Sequence, residues 1–392
     1  MYNLGYKTKT VKHCTNYTWL YIVTCHIKRY KCKICNHRFY EPDTFSNPHE
    51  CLSKESIYAI LDRLKLLNET FESVASSFHI SRQEVIYIFD KYVDYRKPVD
   101  LPVIMSWDEK SKSKNMGKDP YMFIIVDFLK NKIYDILESR KKNSLTSYFS
   151  KIPLEIRNKV EFITMDMWPT YLDLAELYFR NAKIAIDSFH IVKNISHALD
   201  QVRLNVMRKF NNGAEDIEDN HIYYYMLKKY KYILLSDFDE LDDKVRFNRK
   251  LKSHLDKHMI RRYLLDIDDN LKKAYYLYIR YLEFNKTCTY QEACDELEIL
   301  IDDYFNSCIS HFIEVAKTLT HWKEYILNSF ILVDSLDGST KRRLSNGPIE
   351  GINSMIEKIN INGNGYTNFS RFKRRVIYVI NKDVALKALK RK

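Results

Sequence analysis

The stretch ITMDMWPTYLDLAEL, residues 163–177, decides the fold. Apolar, strand-like residues lead straight into an acid, Asp166, and a helical pattern begins behind Trp168 and Pro169. The arrangement recurs at AKIAIDSFHIVK, residues 182–193, where Ile184 and Ile186 lead into Asp187. Two strand-end acids close together in sequence suggest a metal site. Working outward, LPVIMSWDE is a short apolar run ending in Asp108, while YMFIIVDF and KIYDILES form a hairpin across Lys130–Lys132. The order is three strands, a helix, a strand, a helix and a strand, which predicts a mixed sheet covered by helices.

Residues 196–340 lack Pro, hold only Gly213 and Gly338, and lose strand character, so they are expected to form an all-helical insertion. The core resumes at SNGPIEGINSMIEKIN, residues 345–360. Pro348 suits a first helical turn. Ile349, Ile352, Met355, Ile356 and Ile359 make a buried stripe, and Glu350, Asn353, Ser354 and Glu357 share the neighbouring face. Glu350 thus stands in the first turn of a helix that can pack on the sheet.

Ahead of the sheet, Phe71, Val74, Ala75 and Phe78 lie at helical spacing. A break at His79 and Ile80 follows, and then Ser81 opens a second helix with Glu84 as a capping-box partner. Val85, Ile86, Ile88 and Phe89 face inward, leaving Arg82, Gln83, Tyr87 and Lys91 outside. This is the pattern of a helix-turn-helix whose second helix offers a polar, basic face to DNA; a plain helical bundle would share it. In RYKCKICNHRFYE, Cys32 and Cys35 have the knuckle spacing that grips Zn²⁺. A tetrahedral site needs four ligands and no second such pair is present, so zinc and a degenerate finger both stay open. The expected organisation is a partial zinc-knuckle-like segment at 1–48, a helix-turn-helix domain at 49–97, a core at 101–195 and 341–392, and the insertion at 196–340.

Composition sets the partner class. Lys and Arg outnumber Asp and Glu by 63 to 51, for a formal charge of +12, which attracts polyanions and above all nucleic acid. No apolar run approaches the roughly 18 residues that span a bilayer, and no signal peptide is evident, so an intracellular, cytoplasmic protein is expected. Eight cysteines in 392 residues do not form a disulfide framework.

TMDMWPTY, AIDSFHIVKN, SNGPIEGINSMIEKIN and NGYTNFSRFKRRV resemble the motifs of the ISL-three family of bacterial insertion-sequence transposases. RYKCKICNHRFYE and the helix-turn-helix are similar to that family's DNA-binding region, although the further Cys-x-x-Cys pair usual there is not in the sequence. The resemblance implies an α/β ribonuclease H-like catalytic core, in which the first and fourth strands are neighbours. It also implies an Asp-Asp-Glu triad, carried over by motif position onto Asp108, Asp166 and Glu350. These acids would hold two Mg²⁺ or Mn²⁺ ions for phosphodiester hydrolysis at the element ends and attack of the freed 3′-hydroxyl on target DNA. The implied partners are double-stranded DNA, as terminal inverted repeats and target, and further copies of the chain as a homodimer or higher oligomer.

Asp187 and His190 fall on an Asp-x-x-His pattern and, with Asn353, are expected around the triad; Asp187 can equally cap the helix near Phe189. Arg371, Lys373 and Arg374 either hold DNA phosphates or form a solvated helix face. Trp322 either stacks on a base pushed out of the duplex or packs in the insertion core with Tyr325, Ile326 and Phe330. The alternative function is a transposase-derived DNA-binding protein or repressor lacking catalysis, against which the intact acids argue.

Overall fold

The computed structural model describes residues 1–15, 19–210, 218–236 and 241–387 in two units: 1–156 with 347–392, and 157–346. The first unit opens with an antiparallel sheet of β1 (Tyr2–His13), β2 (Tyr21–Lys31) and β3 (Arg38–Tyr40). The knuckle-like segment expected at 1–48 is therefore mostly strand. Alternation in KTKTVKH and IVTCHIK is the cause, and the Cys-x-x-Cys turn joins β2 to β3. Three helices follow, α1 (Lys54–Arg63), α2 (Phe71–Ser77) and α3 (Arg82–Tyr92), capped by Ser53, Thr70 and Ser81. The reciprocal capping box forms at Thr70 and Ser73, not at Ser81 and Glu84. Ser81 still accepts from the Glu84 N–H, but the Glu84 carboxylate turns to Lys12, 3.8 Å away. His79 makes the turn between α2 and α3 at φ 53°. Val85, Ile88 and Phe89 face inward as expected, while Ile86 is only half-buried.

The same unit contains a meander of β4 (Ile104–Ser111), β5 (Tyr121–Asp127) and β6 (Lys132–Leu137), with Asp108 opposite Ile124. Trp107 and Phe123 on one face meet Phe149 of α4 (Lys142–Phe149), and the short α5 (Leu154–Arg157) follows. Ile124, Val126 and Ile136 on the other face pack against two helices from the end of the chain, α14 (Gly347–Asn362) and α15 (Phe369–Asn381). Ile349, Ile352, Ile356 and Ile359 form the buried stripe of α14, as the spacing predicts.

In the second unit β7 (Phe162–Met165) pairs in parallel with β8 (Lys183–Ile186), and α6 (Pro169–Tyr178) crosses between them. Then come α7 (Ser188–Lys209), α8 (Glu218–Lys229), α9 (Lys231–Leu235), α10 (Lys257–Leu265), α11 (Asp269–Thr287), α12 (Tyr290–Phe305) and α13 (Ser310–Asn328). The helical insertion is not purely helical. Two hairpins interrupt it, β9 (Arg246–Asn248) with β10 (Ser253–Leu255) and β11 (Leu332–Asp334) with β12 (Lys341–Arg343). Strands of three residues are too short to show alternation in sequence. Their turns are set by Lys252 and Gly338 at positive φ. No helix among the described residues is long and apolar enough to cross a membrane.

Candidate active site

In the second unit, Met165 of β7 pairs with Ile186 of β8, so Asp166 and Asp187 leave adjacent strand ends side by side. Asp187 is buried and caps α7, accepting the Phe189 N–H at 3.2 Å. That cap fixes the first turn of α7 and places His190 against Asp166, with Nε2 3.0 Å from Oδ1. A second donor reaches the same oxygen, Nδ2 of buried Asn346 at 3.0 Å. Asn346 is itself held by the Thr164 hydroxyl, which donates to its Oδ1 at 2.7 Å. Oδ2 of Asp166 has no hydrogen-bond or ion-pair partner among the described residues. The ligand atoms of Asp166, Asp187 and His190 lie within 4.8 Å of one another, so the three can hold a metal ion.

In the first unit, α14 runs alongside β4. Asn353 donates to Oδ2 of Asp108, Lys110 pairs with Glu357 at 2.6 Å, and Ser113 donates to Asn360 at 2.9 Å. This ladder fixes the register of helix on strand. Glu350 stands one helical turn before Asn353 on the same face, at the Asp108 end of the ladder. It is exposed and makes no hydrogen bond or ion pair with the described residues. Asn353 Oδ1 is buried without a hydrogen-bond partner.

The family model of the ISL-three transposases, described as Transposase, matches residues 105–376, a span that includes Asp108, Asp166 and Glu350. The chain belongs to that family. No curated protein matches it. It is an insertion-sequence transposase, and its family cuts and rejoins DNA with divalent metal ions.

The transposase places its other predicted site residues unevenly. Arg82, Gln83 and Tyr87 are exposed on α3. Lys91 is engaged by the buried Glu50, which also accepts from Tyr92 and Asn47. Burial alone would raise the Glu50 carboxyl, but the hydrogen bonds from Lys91, Tyr92 and Asn47 outweigh it and hold the group below its ordinary range. Arg371 and Arg374 both reach Asp90 of α3, at 2.8 and 2.7 Å, and Lys373 pairs with Asp135. These three cations thus fasten α15 to neighbouring elements, a role neither expectation foresaw. Trp322 is 5% exposed within α13, against His321 and Tyr325, so it occupies the core position and not an open stacking platform.

The Cys32–Cys35 turn is well formed, with Asn36 at φ 58° and the Cys32 N–H donating to His37 O at 2.9 Å. Backbone N–H groups of Cys35 and Ile34, then the Cys35 thiol, hold the Cys32 thiol below its ordinary range. Among the described residues no third His, Cys, Asp or Glu joins this pair, so it offers two of the four ligands zinc requires. Asn346 and Thr164 went unnoticed in sequence as site residues. Their one visible signal was the position of Asn346 within the motif that carries Glu350.

Proposed function

We propose that Asp108, Asp166 and Glu350 are the catalytic carboxylates of this transposase, within a ribonuclease H-like core. The observation that carries this is the Asp166 carboxylate, oriented through Oδ1 by two donors while Oδ2 is left without a partner. Asp108 accepts from Asn353 through Oδ2 and from the Glu109 N–H through Oδ1, and Glu350 stands unengaged one turn from Asn353. Carboxylate oxygens, with the unpartnered Asn353 Oδ1 available to a coordinated water, make a donor set suited to Mg²⁺ or Mn²⁺. Two bound ions would supply charge stabilisation to the attacking and leaving oxygens of a phosphodiester. The protein's own contribution is to orient two of these carboxylates, Asp166 through His190 and Asn346 and Asp108 through Asn353.

DNA reaches this site through basic surface. The first 40 residues contain eight Lys or Arg and no Asp or Glu. Arg82 and Gln83, exposed in the first turn of α3, are suited to base edges in the major groove. A repressor without catalysis is not favoured, because it would have no need of a carboxylate held, as Asp166 is, with an open oxygen. The test is Asp166→Asn in Mg²⁺-dependent cleavage of the element ends. Cleavage should be lost while DNA binding stays near wild type; comparable cleavage by both proteins would sink the assignment. Replacing Arg82 and Gln83 with Ala should weaken binding to terminal repeats more than to random DNA, and equal losses would show contact with phosphates alone.

A further inference from the structure

Asn346 is a buried amide, 1% exposed, in the segment leading into α14. Its hydrogen bonds are directional. A carboxylate can only accept, so the amide nitrogen must face Asp166, and Oδ1 must then face Thr164, whose hydroxyl donates. Thr164 is fully buried in β7, two residues before Asp166. The strand that ends in Asp166 therefore also fixes the amide that orients it.

We propose that Asn346, locked by Thr164, is a positioning residue that directs Oδ2 of Asp166 toward the divalent ion. The proposal rests on Asp166 being a metal-holding carboxylate. Two donors on Oδ1, from Asn346 and His190, draw charge to that oxygen and remove the rotation of the carboxylate about its last bond. The second oxygen is thereby presented in one orientation and the carboxylate binds through it alone. His190 by itself would leave the carboxylate free to pivot about a single contact. The bland alternative is that Asn346 only ties its loop to β7, in which case its loss would lower stability and leave metal affinity untouched.

The experiment uses the full chain and Mn²⁺ as probe, read by electron paramagnetic resonance of the free ion, alongside thermal melting and cleavage of element ends. Removing an outer hydrogen-bond partner of a metal ligand weakens metal binding by about 10- to 100-fold. Asn346→Ala should therefore raise the Mn²⁺ concentration for half-saturation by about tenfold or more, and excess Mn²⁺ should restore its cleavage. Thr164→Val, similar in shape but without the hydroxyl, should shift Mn²⁺ affinity the same way, whereas Thr164→Ser should bind as wild type. This pair decides the matter if Asn346→Ala fails to fold. Wild-type Mn²⁺ affinity in Asn346→Ala and Thr164→Val, with affinity lost in Asp166→Asn, would overturn the positioning role alone. Wild-type affinity and cleavage in Asp166→Asn as well would overturn the carboxylate assignment beneath it.

Discussion

Replacing Lys28, Arg29, Lys31 and Lys33 together with Gln should flatten the salt dependence of DNA binding. Of the eight cations in the first 40 residues, Lys9 and Lys12 face acids, Asp43 at 3.4 Å and Glu84 at 3.8 Å. The other six, Lys7, Lys28, Arg29, Lys31, Lys33 and Arg38, have no acidic partner among the described residues. They gather at one end of the sheet, where Tyr2 pairs with Lys31 and Lys31 with Arg38. Rings hold two of them in place, Lys7 over Tyr40 at 5.4 Å and Lys33 over Tyr2 at 5.3 Å. Each phosphate neutralised by a cation contributes about 0.9 to the slope of log K against log salt. If each of the four replaced cations holds one phosphate, the slope should fall by about 3.6. Between about 50 and 200 mM salt, the wild type should then lose on the order of 100-fold more affinity than the variant. The assay is fluorescence anisotropy on a random-sequence duplex across a salt series, with melting to confirm the fold. A slope unchanged to within about 1 would refute the assignment of this end of the sheet to DNA.

Trp322→Ala should destabilise the full chain by about 3–5 kcal/mol, because it empties a buried aromatic site. An unchanged melting temperature with impaired processing of pre-nicked ends would instead place Trp322 against a base. Glu50 gives an acid-limb prediction. Its folded pKa lies below the ordinary 4.5, so its stabilising effect is complete above that pH and is lost as pH falls through the folded value. Glu50→Gln should thus cost about 1–3 kcal/mol near neutral pH, with a melting temperature that changes less between pH 5 and 3 than the wild type's. Parallel acid limbs for the two proteins would show that Glu50 titrates normally. Asp90→Ala should leave Arg371 and Arg374 of α15 without their shared partner and lower the melting temperature, whereas loss of DNA binding at unchanged stability would return both cations to a phosphate role.

The acids proposed as catalytic, and Asp187 beside them, could be picked out in the sequence because each sits at a change of period. Asp166 and Asp187 close apolar runs, Asp108 stands near the end of another, and Glu350 follows Pro348 at the start of an amphipathic helix. Such junctions are local, since a strand's alternation and a helix's stripe are determined by neighbouring residues. The inward faces of α2, α3 and α14 were legible for the same reason. The N-terminal sheet was misjudged because cysteine spacing drew attention to one turn and away from the alternating strands on either side of it. The hairpins β9–β10 and β11–β12 were too short to carry a period at all.

Tertiary structure alone decided which side chains serve the acids. Thr164 and Asn346 are 182 residues apart, and Arg371 lies 281 residues from Asp90. A hydrogen bond between two elements depends on the register in which they pack, and that register is fixed by many apolar contacts distributed over both. It leaves no spacing to read in either segment. The sequence by itself therefore determined where carboxylates could gather at strand and helix ends. Packing determined that Oδ1 of Asp166 would be held twice and Oδ2 left open, and that Arg371, Lys373 and Arg374 of α15 would be turned to acids within their own unit.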